Sequence, residues 1–326
     1  MPRDRLARLG KELRLAKMDV VGLGLNATDT VIGVRHFPAL GGKERIVSSS
    51  TQAGGQIATA LVTCQRLGLR ARYVGTLGDD EGGRFQLASL RKEGLDLRHM
   101  RIVPHTPNQL AYIIVDQATG ERTVFWDRSP RLAVKPPDLK PEAIRGVQVL
   151  LIDGCDVEAC ALAARWARDQ GVPVVADLDT VYKKVEKLFP LIDYLIASHN
   201  FFPALTGDRD PFRALEHMAR KYRVRAPGMT LGRDGALMLW HGRFHYSPGF
   251  AVETVDTTGA GDVFHGAFVY GLLAGWEMQR ILDFSNAMAA LNCAALGARG
   301  GISTRAKAEK LMRTGRRHVN RQYVRK

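Results

Sequence analysis

Between Val255 and Phe268 the chain reads VDTTGAGDVFHGAF, and two features of that run can do chemistry. Gly259, Ala260 and Gly261 are small residues set just before VFHGAFVYGLLAG, a stretch with helical periodicity. The first N–H groups of a helix have no partner within it and carry the positive end of its dipole, so this turn can hold an anion. Small residues let the backbone approach a phosphate closely. Asp262 follows in the first turn. Thr257 or Thr258 can cap the helix from upstream, which leaves the carboxylate for another task. It can take a proton from an alcohol while the turn stabilises charge on a phosphoryl group in transfer. An aspartate that merely favours the helix dipole is the competing reading, and it leaves the glycines unexplained.

Other glycine-rich candidates are weaker. Gly22-Leu-Gly24-Leu-Asn26-Ala27 matches the dinucleotide pattern G-x-G-x-x-G/A, but that pattern works only where a helix opens on it. TDTVIGVRHFPALGG follows instead, with β-branched residues, Pro38 and a glycine pair. An NAD-dependent oxidoreductase therefore rests on a partial match. The P-loop pattern G-x-x-x-x-G-K-[ST] is absent.

Elements must bring these residues together. MDVVGLGL (18–25) predicts a strand. TDTVIGVRHF (28–37) and ERIVSSSTQ (44–52), joined by PALGG, predict a hairpin, and QLAYIIVD (109–116) with ERTVFWD (121–127) a second one around Gln117–Gly120. GQIATALVTCQRLG (55–68) and DEGGRFQLASLRKEG have helical spacing, with the strand ARYVGTLG between them. From Val147 the rhythm is VQVLLIDG, EACALAARWARDQG, VPVVADLD and DYLIAS, apolar strands around a helix. That is the pattern of a parallel sheet covered on both faces. The two hairpins break the rhythm and predict a small antiparallel sheet projecting from the main one, placed to act as a lid.

Composition narrows the class. The 326 residues are 45% apolar and 25% charged, ordinary for a globular protein. Four scattered cysteines, Cys64, Cys155, Cys160 and Cys293, read as reduced thiols rather than a disulfide framework or zinc site. No apolar run reaches the ~18 residues of a membrane span, and no secretory signal pattern opens the chain, so a cytoplasmic protein is expected. The net charge of +14 is concentrated at the ends: six Lys/Arg against two acids in 1–17, nine against one in 305–326. No nucleic-acid-binding signature accompanies these ends, and none of that class of partner is expected.

Taken together, D-T-T-G-A-G-D-x-F-x-G-A at Asp256–Ala267 resembles the C-terminal signature of the ribokinase-like (PfkB-type) carbohydrate kinases. Gly54-Gly55 with the helix after it and VGTLGDDEGG (Val74–Gly83) resemble that family's N-terminal signature, and TLGRDG (Thr230–Gly235) its nucleotide loop. The resemblance runs over about 18–305. It implies an α/β fold of three αβα layers, with a mainly parallel central sheet and a small projecting β-lid from about 28–52 and 109–127. A basic extension (1–17) precedes that domain and a basic tail (306–326) follows it. The implied activity is ATP-dependent, Mg²⁺-requiring phosphorylation of a sugar hydroxyl, in a chain that dimerises through the lid.

Carried residue by residue, the resemblance makes Asp262 the base and Gly259, Ala260 and Gly261 the anion hole. Thr230, Gly232, Gly235, Asn286 and Ser198 fall on the nucleotide side. Asn26, Asp29, Gly54, Gly55 and Gln56 fall on the sugar side. No metal ligands are assigned. Two positions depart from the family: its N-x-x-E reads Ser198-His-Asn-Phe201, so the metal-organising glutamate is missing, with Asn200 a partial substitute, and the sugar-loop asparagine of ribokinases is Thr59. Both departures look closest to the ketohexokinase and sulfofructose-kinase-like branch, and hence to a ketose or an anionic sugar derivative.

Lys43 and Arg128 can meet an anionic group on such a sugar, or they discourage strand addition at a sheet edge. His265 reads as a packing or helix-polar residue rather than a second acid or base. Trp126 can lie over a sugar, face a dimer partner or pack in a core, and Asp153 and Cys155 end a strand where α/β proteins bind ligands. A nucleoside kinase of the same fold and a non-catalytic sugar or nucleotide sensor are the alternatives.

Overall fold

The computed structural model describes residues 18–324, so the basic stretch 1–17 lies outside the described residues. Its main sheet has nine strands. In chain order they are β1 (Val20–Leu23), β4 (Ala71–Gly78), β5 (Asp96–Val103), β8 (Val149–Ile152), β9 (Val174–Leu178), β10 (Tyr194–Ser198), β11 (Ala226–Thr230), β12 (Ala236–Trp240) and β13 (Arg243–Ser247). Across the sheet the order is β13-β12-β11-β10-β9-β8-β1-β4-β5, parallel from β11 to β5 and antiparallel only at β11–β12–β13.

Both faces are apolar because both are covered. Alternate residues of one strand serve the two layers. Val149 and Leu151 join Ile57, Leu61, Phe264 and Phe268 on one side, while Leu150 and Ile152 join Ala159, Ala163, Phe212 and Leu215 on the other. The first layer is built by α1 (Gln56–Arg66), α2 (Glu81–Lys92), α6 (Ala260–Leu273) and α7 (Met278–Cys293). The second is built by α3 (Val157–Asp169), α4 (Phe201–Thr206) and α5 (Pro211–Lys221). This is the three-layer αβα arrangement expected from the strand–helix rhythm. The G-x-G-x-x-A run leads into a strand at Ala27, so it opens no helix for a dinucleotide.

Both predicted hairpins form and make a second, four-stranded sheet in the order β3-β2-β6-β7, from β2 (Ala27–Val34), β3 (Ile46–Gly54), β6 (Leu110–Asp116) and β7 (Arg122–Asp127). One detail differs from expectation. The hairpins join through β2 and β6, which run parallel, so the sheet is mixed rather than antiparallel. Its faces are unlike. Val31, Ala111, Ile113 and Val115 are buried around Leu296, whereas Tyr112 and Phe125, directly opposed across β6 and β7, stay about half exposed on the outer face.

The segment read as a basic tail is docked as far as the described residues go. Helix α8 (Arg305–Thr314) buries Ala308 beside Phe284 and Met288 of α7. After it, β15 (Arg317–His318) pairs with β14 (Gly249–Phe250). Among the described residues no helix is long and apolar enough to cross a membrane.

Candidate active site

Gly259 opens α6 in the left-handed conformation (φ 74°), and a Cβ there would run into the Ala298 carbonyl. A side chain is therefore excluded by both conformation and space. Behind the turn, Asp256 is fully buried and ties it down: Oδ1 accepts from the Thr258 amide (2.8 Å) and hydroxyl (2.7 Å), and Oδ2 from the Gly297 amide (2.8 Å). Asn292 donates to the Thr258 carbonyl and the Ala298 carbonyl, both at 3.1 Å. With Thr258 so engaged, no side chain caps α6. Neither threonine side chain does the capping that the sequence offered; the Ala260 amide donates to the Thr257 carbonyl (3.3 Å), and the N–H groups that follow have no side-chain cap.

Asp262, in the first turn of α6, stands among acids. Burial first, and then the charge of Asp177 at the end of β9, push its carboxyl well above the usual 3.8, against the opposing pull of His265. Asp177 is pushed up by its own burial and by Asp179 and Asp153. His265 is buried, with Nδ1 2.7 Å from the Gly261 carbonyl and 3.2 Å from Asp177 Oδ2, and Nε2 3.1 Å from the Ile196 carbonyl of β10. Burial depresses its ring and these carbonyls oppose that shift. His265 thus packs as the sequence indicated, and it also fixes the start of α6 to β9 near its carboxyl end and to the middle of β10.

In the half expected to take the sugar, Asp29 sits on the inner face of the small sheet, 4% exposed. Among the described residues no group donates a hydrogen bond to it, and burial pushes its carboxyl up to about 7 despite Arg299. Gly54 lies directly against it: a Cβ there would occupy the Asp29 carboxylate. Arg299, buried at the far end of α7's loop, holds this corner with bonds to the Gly54 carbonyl (2.9 Å), Thr59 Oγ1 (3.2 Å) and Ser89 Oγ (3.1 Å). Thr59 therefore has a structural task where ribokinases have asparagine. Gly55 and Gln56 open α1 beside it. Asn26 is buried with its amide already committed, donating to Tyr73 Oη (2.7 Å) and the Thr76 carbonyl (2.6 Å) and accepting from Asn108 (3.3 Å).

In the small sheet, register puts Gln52, Asp29, Ala111 and Trp126 in one row on the inner face, so the 61%-exposed Trp126 shares the face of Asp29 two strands away. Two proposed anion contacts are not brought to this corner. Lys43 is exposed in the loop at the opposite end of the β2–β3 hairpin. Nine residues of chain separate it from Gln52, roughly 30 Å if extended at ~3.3 Å each. Arg128 is bound bidentately to Asp156 (3.0 and 2.8 Å) and to the Leu132 carbonyl, a structural clamp rather than a free guanidinium or a sheet-edge charge. Asp153 is likewise internal, accepting from the Leu25 and Cys155 amides, and burial pushes the Cys155 thiol up to about 12.

In the half expected to take the nucleotide, Ser198 ends β10 in register with Thr230 at the end of β11. A tight turn, Gly232–Asp234, and Gly235 (φ 97°) follow. Asn286 of α7 backs this loop, donating to the Ser247 carbonyl and hydroxyl at 2.8 Å each. Phe201, where the family has glutamate, is buried against Phe189 and Phe202 and cannot serve a metal, and Asn200 is exposed before it. Among the described residues no cluster of three His, Cys, Asp or Glu can hold a metal ion. A Mg²⁺ held on nucleotide phosphates keeps most of its waters and needs few protein ligands.

One contact was not foreseen. Arg122, an exposed residue of β7, donates from Nη1 to Thr257 Oγ1 (2.8 Å) and lies close enough to Asp262 for its charge to be felt there. The same hairpin brings the Gly120 carbonyl to within 3.4 Å of the Thr257 hydroxyl. The small sheet therefore reaches the turn before α6 within one chain.

Comparison with known proteins agrees with this geometry. The profile of the pfkB family carbohydrate kinases matches residues 23–305. An ATP-dependent ribose-1-phosphate kinase of Halopiger xanaduensis is 28% identical over 282 residues, covering 86% of this chain and 93% of that protein. A 5-dehydro-2-deoxygluconokinase of Geobacillus thermodenitrificans is 26% identical, covering 84% and 87%. The crystal structure of a candidate ribokinase from Agrobacterium tumefaciens superposes with a TM-score of 0.84 at 29% identity, over 91% of this chain and 97% of that one.

Proposed function

The chain belongs to the pfkB family of carbohydrate kinases and is an ATP-dependent sugar kinase, and we propose that Asp262 is its general base and Gly259–Gly261 its anion hole. The observation that carries this reading is the placement of Asp262 beside the uncapped start of α6, in surroundings that lift its proton affinity. A carboxylate with a raised pKa is a better proton acceptor for an alcohol at neutral pH. As the substrate oxygen attacks the γ-phosphorus, Asp262 takes its proton and the ADP oxygen leaves. The helix-start N–H groups stabilise the charge on the transferred group. Arg122 adds a guanidinium bonded to Thr257, just before the turn. Mg²⁺, when bound with the nucleotide, neutralises phosphate charge.

Asp29 then accepts from a sugar hydroxyl, with Gly54, Gly55 and Gln56 walling the pocket, while Thr230, Gly232, Gly235, Asn286 and Ser198 shape the nucleotide side. The acceptor is a small ketose or an anionic sugar derivative. Two kinds of relative support that class through their names: one phosphorylates a sugar that already carries phosphate, the other a keto-acid derivative. The relatives named here do not single out the ketohexokinase and sulfofructose-kinase-like branch. A second copy covering the outer face of the small sheet, where Tyr112 and Phe125 are exposed, gives the dimer; sedimentation as a monomer at working concentration would remove that part.

The test is ADP release from ATP and Mg²⁺ over fructose, sulfofructose, fructose phosphates, 5-dehydro-2-deoxygluconate, ribose, ribose 1-phosphate and adenosine. Turnover of one compound, falling by ~10²–10⁴ in Asp262→Asn, is expected for a lost general base. Undiminished turnover in that variant would refute the assignment.

A further inference from the structure

Residues 316–323, close to the end of the described chain, lie beyond the family match at 305, yet they bind to the nucleotide-side loop. Asn320 is the centre of that contact. Its Nδ2 donates to Asp234 Oδ2 (2.9 Å), within the Gly232–Asp234 turn, and its amide donates to Tyr246 Oη (3.1 Å). Tyr246 in turn donates to the Asp234 carbonyl (2.9 Å), so the turn is gripped at both main chain and side chain. Rings of Tyr246 and Tyr323 meet at 5.5 Å.

Below this, β15 pairs with β14, and the Ala251 amide donates to the Arg316 carbonyl (2.9 Å). Arg317 reaches Asp283 (2.7 Å), the Pro248 carbonyl (3.1 Å) and Ser247 Oγ (3.3 Å), with its guanidinium 4.1 Å over the Phe250 ring. Ser247 is the residue that holds Asn286. Gly235 closes the same unit, since a Cβ there would meet the Ser247 carbonyl and the Gly249 amide. Asn320 thus holds the loop itself, and Arg317 holds Ser247 and Pro248, which lie against Gly235.

We propose that residues 316–323 form a strap that holds the Gly232–Gly235 loop and the Ser247–Asn286 pair in the form that binds ATP, with Asn320 as the positioning residue. This rests on the reading of that loop as the nucleotide site. A turn with two glycines at positive φ has many unbound conformations. Fixing one in advance removes an ordering cost from nucleotide binding. The strap acts on affinity for nucleotide and leaves the sugar half alone.

The experiment uses the full chain with Asn320→Ala and Asn320→Asp, the latter setting a second carboxylate against Asp234. Amide exchange of 231–235, ADP binding by calorimetry, and KM for ATP and sugar are measured together with the thermal midpoint. Expected are faster exchange in that loop and ADP binding weakened on the order of tenfold, as for loss of a hydrogen bond to a charged acceptor. The aspartate variant should show the larger effect. KM for ATP rises in step, while KM for sugar and kcat at saturating ATP stay within about twofold, since neither the sugar half nor the base is touched. Unchanged exchange in both variants overturns the strap. Faster exchange with unchanged ADP affinity overturns the nucleotide reading of the loop, and the proposal with it. A general loss of sugar affinity or a collapsed thermal midpoint in both variants assigns the segment to fold stability and equally rejects it.

Discussion

Replacing Gly261 by alanine separates stability from chemistry at the proposed anion hole. Gly261 is the second residue of α6, has no positive φ, and is exposed; a Cβ there meets nothing within 4 Å. The fold therefore has no objection to a methyl group. Alanine in a helix is favoured over glycine by roughly 0.5–1 kcal/mol, less at an end, so Gly261→Ala is expected to hold or slightly raise the urea midpoint. The open space is nevertheless where a phosphoryl group resting on the helix-start N–H groups has to sit. A methyl group there displaces it by about a carbon's width, and a displacement of ~1 Å from a reactive geometry can cost ~10²-fold. Turnover should thus fall on the order of 10²-fold with the fold intact, read by coupled ADP release beside urea melts. Gly266→Ala is the contrast, because its Cβ would strike the Ala60 carbonyl and Thr63 and lower stability instead. Normal turnover in Gly261→Ala would show that nothing occupies that space during transfer and would refute the anion hole.

Three other outcomes follow from named contacts. Because Asp262 is lifted by burial and by Asp177, its base form is lost as pH falls, so the acid limb of kcat/KM should bend well above 3.8; a limb that bends only near 4 excludes it as the base. Arg122→Ala removes the guanidinium at Thr257; kcat should fall roughly 10–100-fold, as for a hydrogen bond to a charged group, and an unchanged kcat assigns Arg122 to closure of the small sheet only. Asp29 binds its proton more tightly folded (about 7) than unfolded (3.8), so its contribution to stability is full below about 4 and lost as pH rises through 7. That loss is at most roughly 4 kcal/mol. Asp29→Asn should therefore gain on the natural protein between pH 5 and pH 8 in urea melts while losing activity, and parallel pH profiles would contradict an unpaired buried carboxylate.

What the sequence disclosed and what it hid divide along chain distance. The turn at Gly259–Asp262, the strand–helix rhythm after Val147 and both hairpins are properties of consecutive residues, where periodicity and glycine chemistry act directly. Asp177 could have been found as well, since it stands near the carboxyl end of a parallel strand, where such sheets bind ligands. Arg122 could not: its partner Thr257 lies 135 positions on, and only the parallel joining of β2 to β6 carries β7 toward α6. Lys43 and Arg128 show the converse error. Charge and a hairpin nearby made them candidates, yet a strand moves its loop about 3.3 Å away per residue, and Asp156 claims the other guanidinium. The consequence for experiment is specific. Changes within the local turn should act on kcat if that turn faces the reacting group as we propose. Changes in the distant clamps, Asn320 on Asp234 and Arg299 on Gly54, should act first on KM, because on the same proposal those residues hold walls of the pocket and do not meet the transferred group. A variant of either clamp that lowered kcat at saturating substrates while sparing both KM values would break that division and place the clamp in the chemistry itself.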